Sequence, residues 1–235
     1  MSNIVIITAR GGSKRVPRKN IKEFCGKPIL VYSIEAALES GVFDEVMVST
    51  EDEEIAQIAR AAGAKVPFLR SAKTADDFAT SADVIEEVLT EYAKMGQNFE
   101  YACILYPTAP FVTGAKLKEA MGMLQKEKVD SVLPMVQFSF PPQRALVMED
   151  GKIRFANPEH AKTRSQDLQP MYHDCGQFCC FTTKLFLTKR TLVTDNTLGV
   201  IYPESEVQDI DTLEDWKLAE LKYRMMKERS HGVSN

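Results

Sequence analysis

The stretch from Ile4 to Lys19 constrains the fold more than any other part of this 235-residue chain. It begins with four apolar β-branched residues, Ile4 to Ile7, which are typical of a strand buried on both faces of a sheet. Gly11 and Gly12 follow, and the absence of a Cβ lets the backbone turn sharply and approach a ligand. Five cations accompany them: Arg10, Lys14, Arg15, Arg18 and Lys19. A buried strand leading into a cationic glycine turn predicts a phosphate site at the carboxyl edge of an α/β sheet.

The familiar phosphate motifs are missing. Neither the G-x-x-x-x-G-K-[ST] pattern of P-loop proteins nor the G-x-G-x-x-G pattern of dinucleotide sites occurs. The simpler alternative is a solvated basic turn, since lysine and arginine are ordinary surface residues. We prefer the anion site, because the cations follow a buried strand directly and Pro17 stiffens the loop that carries them. The formal net charge is −4, so a general nucleic-acid surface, which needs a basic face, is not expected.

Strands and helices alternate through the first 136 residues. After the first strand, strands are predicted at 45–49, 65–68, 101–106 and 131–136, with helices at 28–41, 52–62, 82–95 and 114–126. This alternation predicts an α/β fold with a mostly parallel sheet and helices on both faces, a three-layer Rossmann-like arrangement. Further strands are expected at 176–181 and 200–202, then a closing helix at 212–227 and a disordered tail at 228–235. We interpret residues 1–235 as a single domain.

The alternation breaks between residues 138 and 172, where four prolines interrupt the chain. A structureless loop of this size is improbable inside a compact domain. The segment is better interpreted as a small inserted arm with short strands at 145–148 and 152–155. Asp150-Gly151 between them is a strong hairpin signal. Because the arm lacks a core of its own, we expect it to pack on a partner subunit, as a dimerisation arm in a homodimer.

Composition narrows the class of protein further. The chain is 44% apolar and 26% charged, which is ordinary for a globular domain. No apolar run approaches the roughly 20 residues of a membrane span, and no signal peptide is expected at the start. The five unevenly spaced cysteines favour a reduced, cytoplasmic protein over a disulfide framework.

Asp209 and Asp211 form a second candidate site. In extended backbone, residues i and i+2 point to the same face, and paired carboxylates suit Mg²⁺ together with substrate phosphates. The structural alternative is a helix cap at Asp211 or Thr212, with Asp211 and Glu214 at capping-box spacing. A cap would explain Asp211 but not Asp209, so we favour the metal.

Two other side-chain groups have alternative interpretations. Ser81 could cap the helix that follows it or contact a ligand, and the residues alone leave both open. A zinc site is not expected, because the histidine and cysteines lack the usual pairing: His173, Cys175, Cys179 and Cys180. No G-x-S-x-G elbow supports hydrolytic chemistry. Cations plus paired carboxylates instead suggest nucleotidyl transfer from a nucleoside triphosphate.

Several motifs occur in an order that resembles one known family. They are Ala9 to Asn20, Phe68-Leu-Arg70, Asp77, Ser81, Pro107-Thr-Ala-Pro110 and Gln208-Asp-Ile-Asp211. Together they resemble the CMP-sialic acid synthetase (acylneuraminate cytidylyltransferase) family over residues 3 to 225. Three further stretches are similar to its pseudaminic acid branch: Tyr106 to Val112, Thr163 to Asp167 and His173 to Phe178.

The resemblance implies a role for each matched residue. It implies phosphate contacts from Arg10, Ser13 and Lys19, and cytosine and ribose contacts from Asn20, Arg70 and Ser81. The rest of the implied nucleotide site is Ala9, Gly11 and Gly12. It implies that Asp209 and Asp211 bind Mg²⁺, and that Arg10, Lys19 and the two aspartates act in catalysis. The implied sugar site is Tyr106, Thr108, His173 and Gln177.

The chain departs from the sialic-acid branch at two positions near the sugar. Tyr106 stands where that branch usually has Gln, and His173-Asp-Cys-Gly176 stands where it usually has Arg-x-Asn-Gly. The resemblance implies a nucleotidyltransferase fold, a homodimer, and CMP transfer from CTP to the anomeric hydroxyl of a nine-carbon keto-sugar acid. Pseudaminic acid is the expected sugar. The alternatives are N-acetylneuraminic acid, legionaminic acid, a deoxy-octulosonate, or a non-catalytic nucleotide-binding regulator.

Overall fold

A computed structural model describes residues 2–76 and 78–232. Its strands are β1 (Asn3–Thr8), β2 (Glu23–Phe24), β3 (Lys27–Pro28), β4 (Glu45–Ser49), β5 (Tyr101–Leu105), β6 (Ser131–Gln137), β7 (Leu146–Glu149), β8 (Lys152–Phe155), β9 (Tyr172–Asp174), β10 (Phe178–Thr182) and β11 (Thr197–Ile201). Within these described residues, seven strands form the central sheet, in the order β11-β6-β10-β5-β1-β4 with β9 paired to β6. The strands β1, β4, β5, β6 and β11 run parallel, while β9 and β10 run antiparallel. The predicted mostly parallel sheet is therefore confirmed.

Helices cover both faces of this sheet. They are α1 (Ile29–Ser40), α2 (Glu53–Ala61), α3 (Ala72–Ala75), α4 (Ser81–Lys94), α5 (Gly114–Glu127), α6 (Thr183–Lys189) and α7 (Leu213–Gly232). On one face, Val5 and Ile7 of β1 pack in a cluster with α1, α2 and α5. On the other face, Ile4 and Ile6 pack in a cluster with α4 and α6. The alternation along one fully buried strand thus produces the three predicted layers.

A third apolar cluster attaches α7 to the side of this framework. Trp216, Ala219 and Tyr223, at helical spacing, pack against Phe24 and Ile29. Phe24 makes edge-on ring contacts with Trp216 and Tyr223, with ring centroids 5.5 and 5.6 Å apart. The closing helix is therefore fixed near the carboxyl edge of the sheet, next to the residues that precede it.

The strand order reverses beside β1. The chain passes from β1 to β4 on one side and then crosses back to β5 on the other side of β1. In open α/β sheets the crevice at such a reversal, beyond the carboxyl ends of the strands, is the usual ligand site. The loop after β1 and the loop after β5 both end in this crevice.

The return from the arm differs from the predicted pattern. Strands β9 and β10 both pair antiparallel with β6, and residues 175–177 interrupt them. Gly176 lies in this interruption with φ 62°, in the left-handed region that favours glycine. Because the chain comes back along β6 from the end of the arm, β10 enters the sheet in the opposite direction to its neighbours.

Other predicted boundaries need correction. The strand predicted at 65–68 is a single bridge between Lys65 and Met47, since Pro67 cannot donate a ladder hydrogen bond. The short helices α3 and α6 and the strand β9 were not predicted. The closing helix continues to Gly232, which replaces most of the predicted disordered tail, and residues 233–235 lie outside the described part.

The arm at residues 138–172 contains the predicted hairpin. Strands β7 and β8 pair antiparallel, and Asp150 and Gly151 between them have φ 50° and 75°. Two successive positive φ values match the tight turn that the sequence signal predicts. At the base of the arm the Phe138 amide donates to the Met171 carbonyl at 3.0 Å, so the arm leaves and rejoins the domain at neighbouring positions.

Two further observations concern the helices and the cysteines of the described residues. None of the helices among residues 2–76 and 78–232 combines the length and the apolar character needed to cross a bilayer. All five cysteines are free thiols.

Candidate active site

A cavity of about 330 Å³ lies in the crevice beyond β1 and β5. Its wall combines residues from the loops after β1, after β5 and before α4, together with one residue that precedes α7. The lining residues are Thr8, Arg10, Ser13, Lys14, Arg15, Val16, Lys19, Asn20, Arg70, Thr74, Asp76, Ala79, Thr80, Ser81, Val84, Tyr106, Pro107, Thr108 and Asp211. A polar crevice of this size with several cations suits a small anionic ligand.

The glycine turn is fixed against the start of α2. The Gly11 amide donates to Glu51 Oε1 at 2.7 Å. A Cβ at Gly11 would lie 2.5 Å from Asp52 Oδ2 and 3.2 Å from Asp52 Cβ, so a larger residue there would displace the Asp52 side chain. Asn20 Nδ2 donates to the Arg10 carbonyl at 2.8 Å and closes the loop from the other side. The loop therefore has a defined conformation before any ligand binds.

Arg18 has a structural role within this loop. Its backbone lies in the left-handed region with φ 52°, and its guanidinium pairs with Asp52 and Glu54 at the start of α2. The hydrogen bond from Arg18 is the main cause that lowers the pKa of Asp52. Asp52 is also the N-cap of α2, accepting from the Ile55 amide at 3.0 Å. Of the five cations, Arg18 holds the loop to the start of α2 and does not line the cavity.

Two other cations connect the loop to the carboxylate pair. Arg15 Nη2 lies 2.9 Å and Lys19 Nζ 3.5 Å from Asp211 Oδ1. Lys19 Nζ also donates to the Ile210 carbonyl at 2.5 Å. The first candidate site and the second, which are about 190 residues apart in sequence, are therefore one site in the fold.

The two carboxylates flank the buried Ile210. Ile210 is fully buried in the third cluster beside Phe24 and Trp216. Asp211 lines the cavity, whereas Asp209 is not among the lining residues and its carboxylate lies beside Gly176. Desolvation and the nearby charge of Asp211 raise the pKa of Asp209, while Lys19 lowers it. Two carboxylates that repel each other at the edge of an anion pocket fit a divalent cation shared with phosphate oxygens.

Of the two capping residues considered for α7, the structure supports Thr212 and not Asp211. Thr212 and Asp215 form the reciprocal pair, because the Asp215 amide donates to Thr212 Oγ1 at 3.2 Å and the Thr212 amide donates to Asp215 Oδ2 at 2.8 Å. The Asp211 carboxylate is thus left for the pocket. In the described residues, no group of three or more His, Cys, Asp or Glu side chains is arranged to hold a metal. Phosphate oxygens would therefore have to complete the coordination.

Ser81 is not the cap of α4 either. Thr80 is the N-cap, and Thr80 and Asp83 bond reciprocally in a capping box. Ser81 lines the cavity instead, next to Tyr106, whose pKa the Ser81 side chain lowers. Between the two alternatives that the sequence left open, the structure excludes the cap and leaves ligand contact as the prediction.

Arg70 is a buried cation in the floor of the cavity. Its side chain donates to Ser49 Oγ at 3.0 Å and to the Ser49 carbonyl at 2.5 Å. Burial lowers its pKa, and Glu51 opposes that effect. A buried guanidinium that is held by the end of β4 presents a fixed positive charge to the pocket, in accord with the predicted nucleotide contact.

The predicted sugar residues separate into two pairs. Tyr106 and Thr108 line the cavity, and burial raises the pKa of Tyr106. His173 is exposed on β9, where its ring centroid lies 4.8 Å from that of Phe138. Gln177 is buried, and its Nε2 donates to the Glu206 carbonyl at 3.1 Å. Direct sugar contact by His173 and Gln177 stays a prediction.

Several pocket residues were not predicted from the sequence. Thr74 and Asp76 follow Arg70 in the long polar connection, whose length was the signal that could have identified them. Thr8 ends β1 and also lines the cavity. Of the predicted residues, Ala9 is buried beneath the loop, and Asp77 lies outside the described residues.

Comparison with known proteins agrees with this geometry. Residues 4–183 match the sequence profile described as cytidylyltransferase. The chain belongs to the cytidylyltransferase family. It is therefore a CTP-dependent nucleotidyltransferase, and the family to which its motifs were predicted to belong is confirmed.

Several individual proteins are similar to this chain over nearly their whole length. A pseudaminic acid cytidylyltransferase from Campylobacter jejuni is 39% identical over 97% of this chain and 99% of its own length. A CMP-N,N'-diacetyllegionaminic acid synthase from Legionella pneumophila is 31% identical over 94% of this chain and 95% of its own length. The solved structure of a CMP:2-keto-3-deoxy-manno-octonic acid synthetase complexed with CTP superposes with a TM-score of 0.68. That structure covers 97% of this chain and 100% of its own at 18% identity, so it supports the fold alone.

Proposed function

We propose that this cytidylyltransferase transfers CMP from CTP to the anomeric hydroxyl of pseudaminic acid, a nine-carbon keto-sugar acid. The anomeric hydroxyl attacks the α-phosphorus of CTP and releases its proton to solvent, while the bond from that phosphorus to the bridging oxygen breaks and pyrophosphate leaves. The observation that carries the proposal is the single cavity on which the cationic loop and Asp211 converge. The sugar is supported by the relatives in Campylobacter jejuni and by the motifs around Tyr106 and His173.

The chain's own residues would act mainly by binding and charge neutralisation. Arg10, Ser13 and Lys19 would contact the triphosphate, and Asn20, Arg70 and Ser81 would contact the nucleoside. Lys19 is already held by the Ile210 carbonyl and Asp211, so its charge would meet the developing negative charge without reorganisation. The fixed glycine turn similarly presents a preformed loop to the phosphates.

We further propose that Asp209 and Asp211 hold Mg²⁺ when CTP binds. Their mutual repulsion and their place beside the phosphate loop fit such an ion. When bound, Mg²⁺ would offset the charge of the triphosphate oxygens. Arg15 and Lys19, which pair with Asp211, would keep that carboxylate directed toward the cavity.

The sugar end of the pocket would be set by Tyr106. Its side chain lines the cavity together with Ser81, so the ring would lie at the junction of the nucleoside and sugar regions. An aromatic face with one hydroxyl suits pseudaminic acid, which carries an acylamino group or a methyl where sialic acid has hydroxyls. A pocket built for one sugar rejects the other, since each buried polar group left unpaired is unfavourable by about 1–3 kcal/mol.

We also propose a cytoplasmic homodimer, in which the arm contacts the other subunit. The support is an apolar face on the hairpin, where Leu146 pairs with Phe155 and Met148 pairs with Ile153. Met148 is 71% and Ile153 62% exposed in the single chain. A second copy that covered this face would bury it symmetrically. Light scattering tests this: we expect dimers for the natural chain and monomers for Met148→Glu, whereas Arg154→Glu on the other face leaves dimers. A monomeric natural chain would contradict the proposal.

The enzymatic experiment is pyrophosphate release from CTP, measured with purified protein and a panel of sugar acids. The panel contains pseudaminic acid, legionaminic acid, N-acetylneuraminic acid and deoxy-manno-octulosonate. We expect the highest kcat/KM with pseudaminic acid. A preference for another sugar overturns the substrate while keeping the chemistry, and absence of pyrophosphate with every sugar would favour the non-catalytic regulator.

A further inference from the structure

The carboxylate pair is presented by a segment that has no sheet to hold it. Residues 204–206 form a short 3-10 helix, and residues 207–211 extend from it to the start of α7. Within the described residues, 207–211 pair with no strand. Backbone carbonyls in such a segment need other hydrogen-bond donors if its conformation is to be fixed.

Lys222 of α7 makes three hydrogen bonds to residues 204–208, while Gln208 Nε2 and Lys19 Nζ donate to the carbonyls of Asp209 and Ile210. Lys222 Nζ donates to the Glu204 carbonyl at 3.0 Å, to the Val207 carbonyl at 3.0 Å and to Gln208 Oε1 at 2.9 Å. An ammonium has three donors, and these three contacts use all of them. One side chain therefore connects both ends of residues 204–208, immediately before Asp209.

Two side chains from other elements hold the middle of the segment. Gln177 Nε2 donates to the Glu206 carbonyl at 3.1 Å. Lys116 Nζ, on α5, lies 3.0 Å from Glu206 Oε2 and has a side chain that is only 11% exposed. Glu206 is thus held from the sheet side, while Lys222 holds the segment from the helix side.

The helix that carries Lys222 is itself well anchored. Trp216, Ala219 and Tyr223 of α7 are buried in the third cluster, together with Ile210 from between the two carboxylates. Lys222 is next to Tyr223, so its stem begins at a fixed point. The same cluster therefore sets the position of both the donor and the residues that the donor supports.

We infer that Lys222 is a positioning residue for the Asp209–Asp211 pair, and this inference rests on the proposed function. By fixing residues 204–208, Lys222 orients the backbone that carries the two carboxylates. A metal site tolerates displacements of only about 0.5 Å. Groups that orient metal ligands typically contribute 10–100-fold to metal affinity or activity.

The test measures how much Mg²⁺ increases the affinity of the protein for CTP. This metal-linked gain is the ratio of the CTP association constant in Mg²⁺ to that in EDTA. Calorimetry in the absence of sugar measures both without the transfer reaction. We expect Lys222→Met to reduce this ratio about tenfold. Lys217→Met, an exposed lysine on the same helix with the same charge change, should leave the ratio unchanged. Lys222→Arg, which keeps charge and donors, should restore most of it.

Hydrogen exchange provides a second readout that needs neither nucleotide nor metal. The amides of residues 207–211 should exchange faster in Lys222→Met than in the natural chain, and not in Lys217→Met. The inference is overturned if the ratio is intact in Lys222→Met, or if exchange is unchanged. If Lys222→Met does not fold, Lys222→Gln is measured by the same criteria. Its side-chain amide keeps two N–H donors and removes the charge. A natural chain without any metal-linked gain would contradict the proposed metal role and this inference together.

Discussion

The edge of the sheet that carries the pocket and the arm at 138–172 differ in how their conformations are held. At the pocket, loop residues bond to residues of other parts of the chain. The Gly11 amide donates to Glu51, and Lys19 donates to the carbonyl of the buried Ile210. In the arm, the hairpin strands hold each other and leave their apolar face open. A region that is rigid within one chain is suited to chemistry, while a region that lacks partners is suited to association.

The largest expected effect concerns the carboxylate pair. Asp209→Asn keeps the shape of the side chain and removes its charge, so kcat/KM should fall about a thousandfold, equivalent to about 4 kcal/mol of lost charge stabilisation. The melting temperature should change little. Asp150→Asn makes the same chemical change in the hairpin turn of the arm, and its activity should match the natural chain. Unfolding of the Asp209→Asn protein, with full specific activity in the folded fraction, would contradict the metal role.

The next effect is on stability and compares the two regions directly. Ile6→Ala empties a fully buried site on β1 and should lower the free energy of unfolding by about 3 kcal/mol. Ile153→Ala, at a side chain that is 62% exposed, should lower it by less than about 0.5 kcal/mol at dilute concentration. Trp216 is the only tryptophan and is buried, so its fluorescence in urea reports both values. A large loss of stability in Ile153→Ala would mean that the dimer persists at dilute protein concentration and covers the apolar face of the arm.

A smaller effect tests whether Tyr106, on the pocket side of the comparison, selects the sugar. Tyr106→Gln should lower the preference for pseudaminic acid over N-acetylneuraminic acid about tenfold, which corresponds to about 1.4 kcal/mol. A competition assay with both sugars and limiting CTP measures this preference. Tyr101→Gln, at the other end of β5, is the control and should not change it. An unchanged preference in Tyr106→Gln would move sugar selection away from this side chain.

The smallest effect is a pH dependence of stability. Because Arg18 lowers the pKa of Asp52, the ionised pair stabilises the fold above the ordinary Asp pKa of 3.8, and this contribution is lost as the pH falls through the lowered value. Arg18→Gln should therefore reduce stability by about 1 kcal/mol or less at pH 7 and have no effect near pH 2. Arg164→Gln, which breaks the exposed arm pair with Asp167, should have a smaller effect at pH 7. A difference that grows as the pH falls would contradict this assignment.

The sequence by itself determined the layers of the sheet and the position of the cationic glycine loop. Four apolar residues before two glycines specify a buried strand and a turn, and the period of the helices specifies which faces they bury. Asp150-Gly151 determined the hairpin, because two positive φ values leave few other residues suitable. These features depend on neighbours in sequence, which is why they could be predicted.

Only the tertiary structure decided which polar side chains line the pocket and which stabilise the surrounding loops and helices. Arg18 and Arg15 stand three residues apart in one basic loop, yet Arg18 pairs with Asp52 while Arg15 reaches Asp211. Thr80 and Thr212, and not Ser81 and Asp211, take the capping positions. The hydrogen bonds from Lys222 to residues 204–208 depend on a helix that returns to the sheet edge. Such choices depend on contacts between distant parts of the chain, and local patterns carry no information about them.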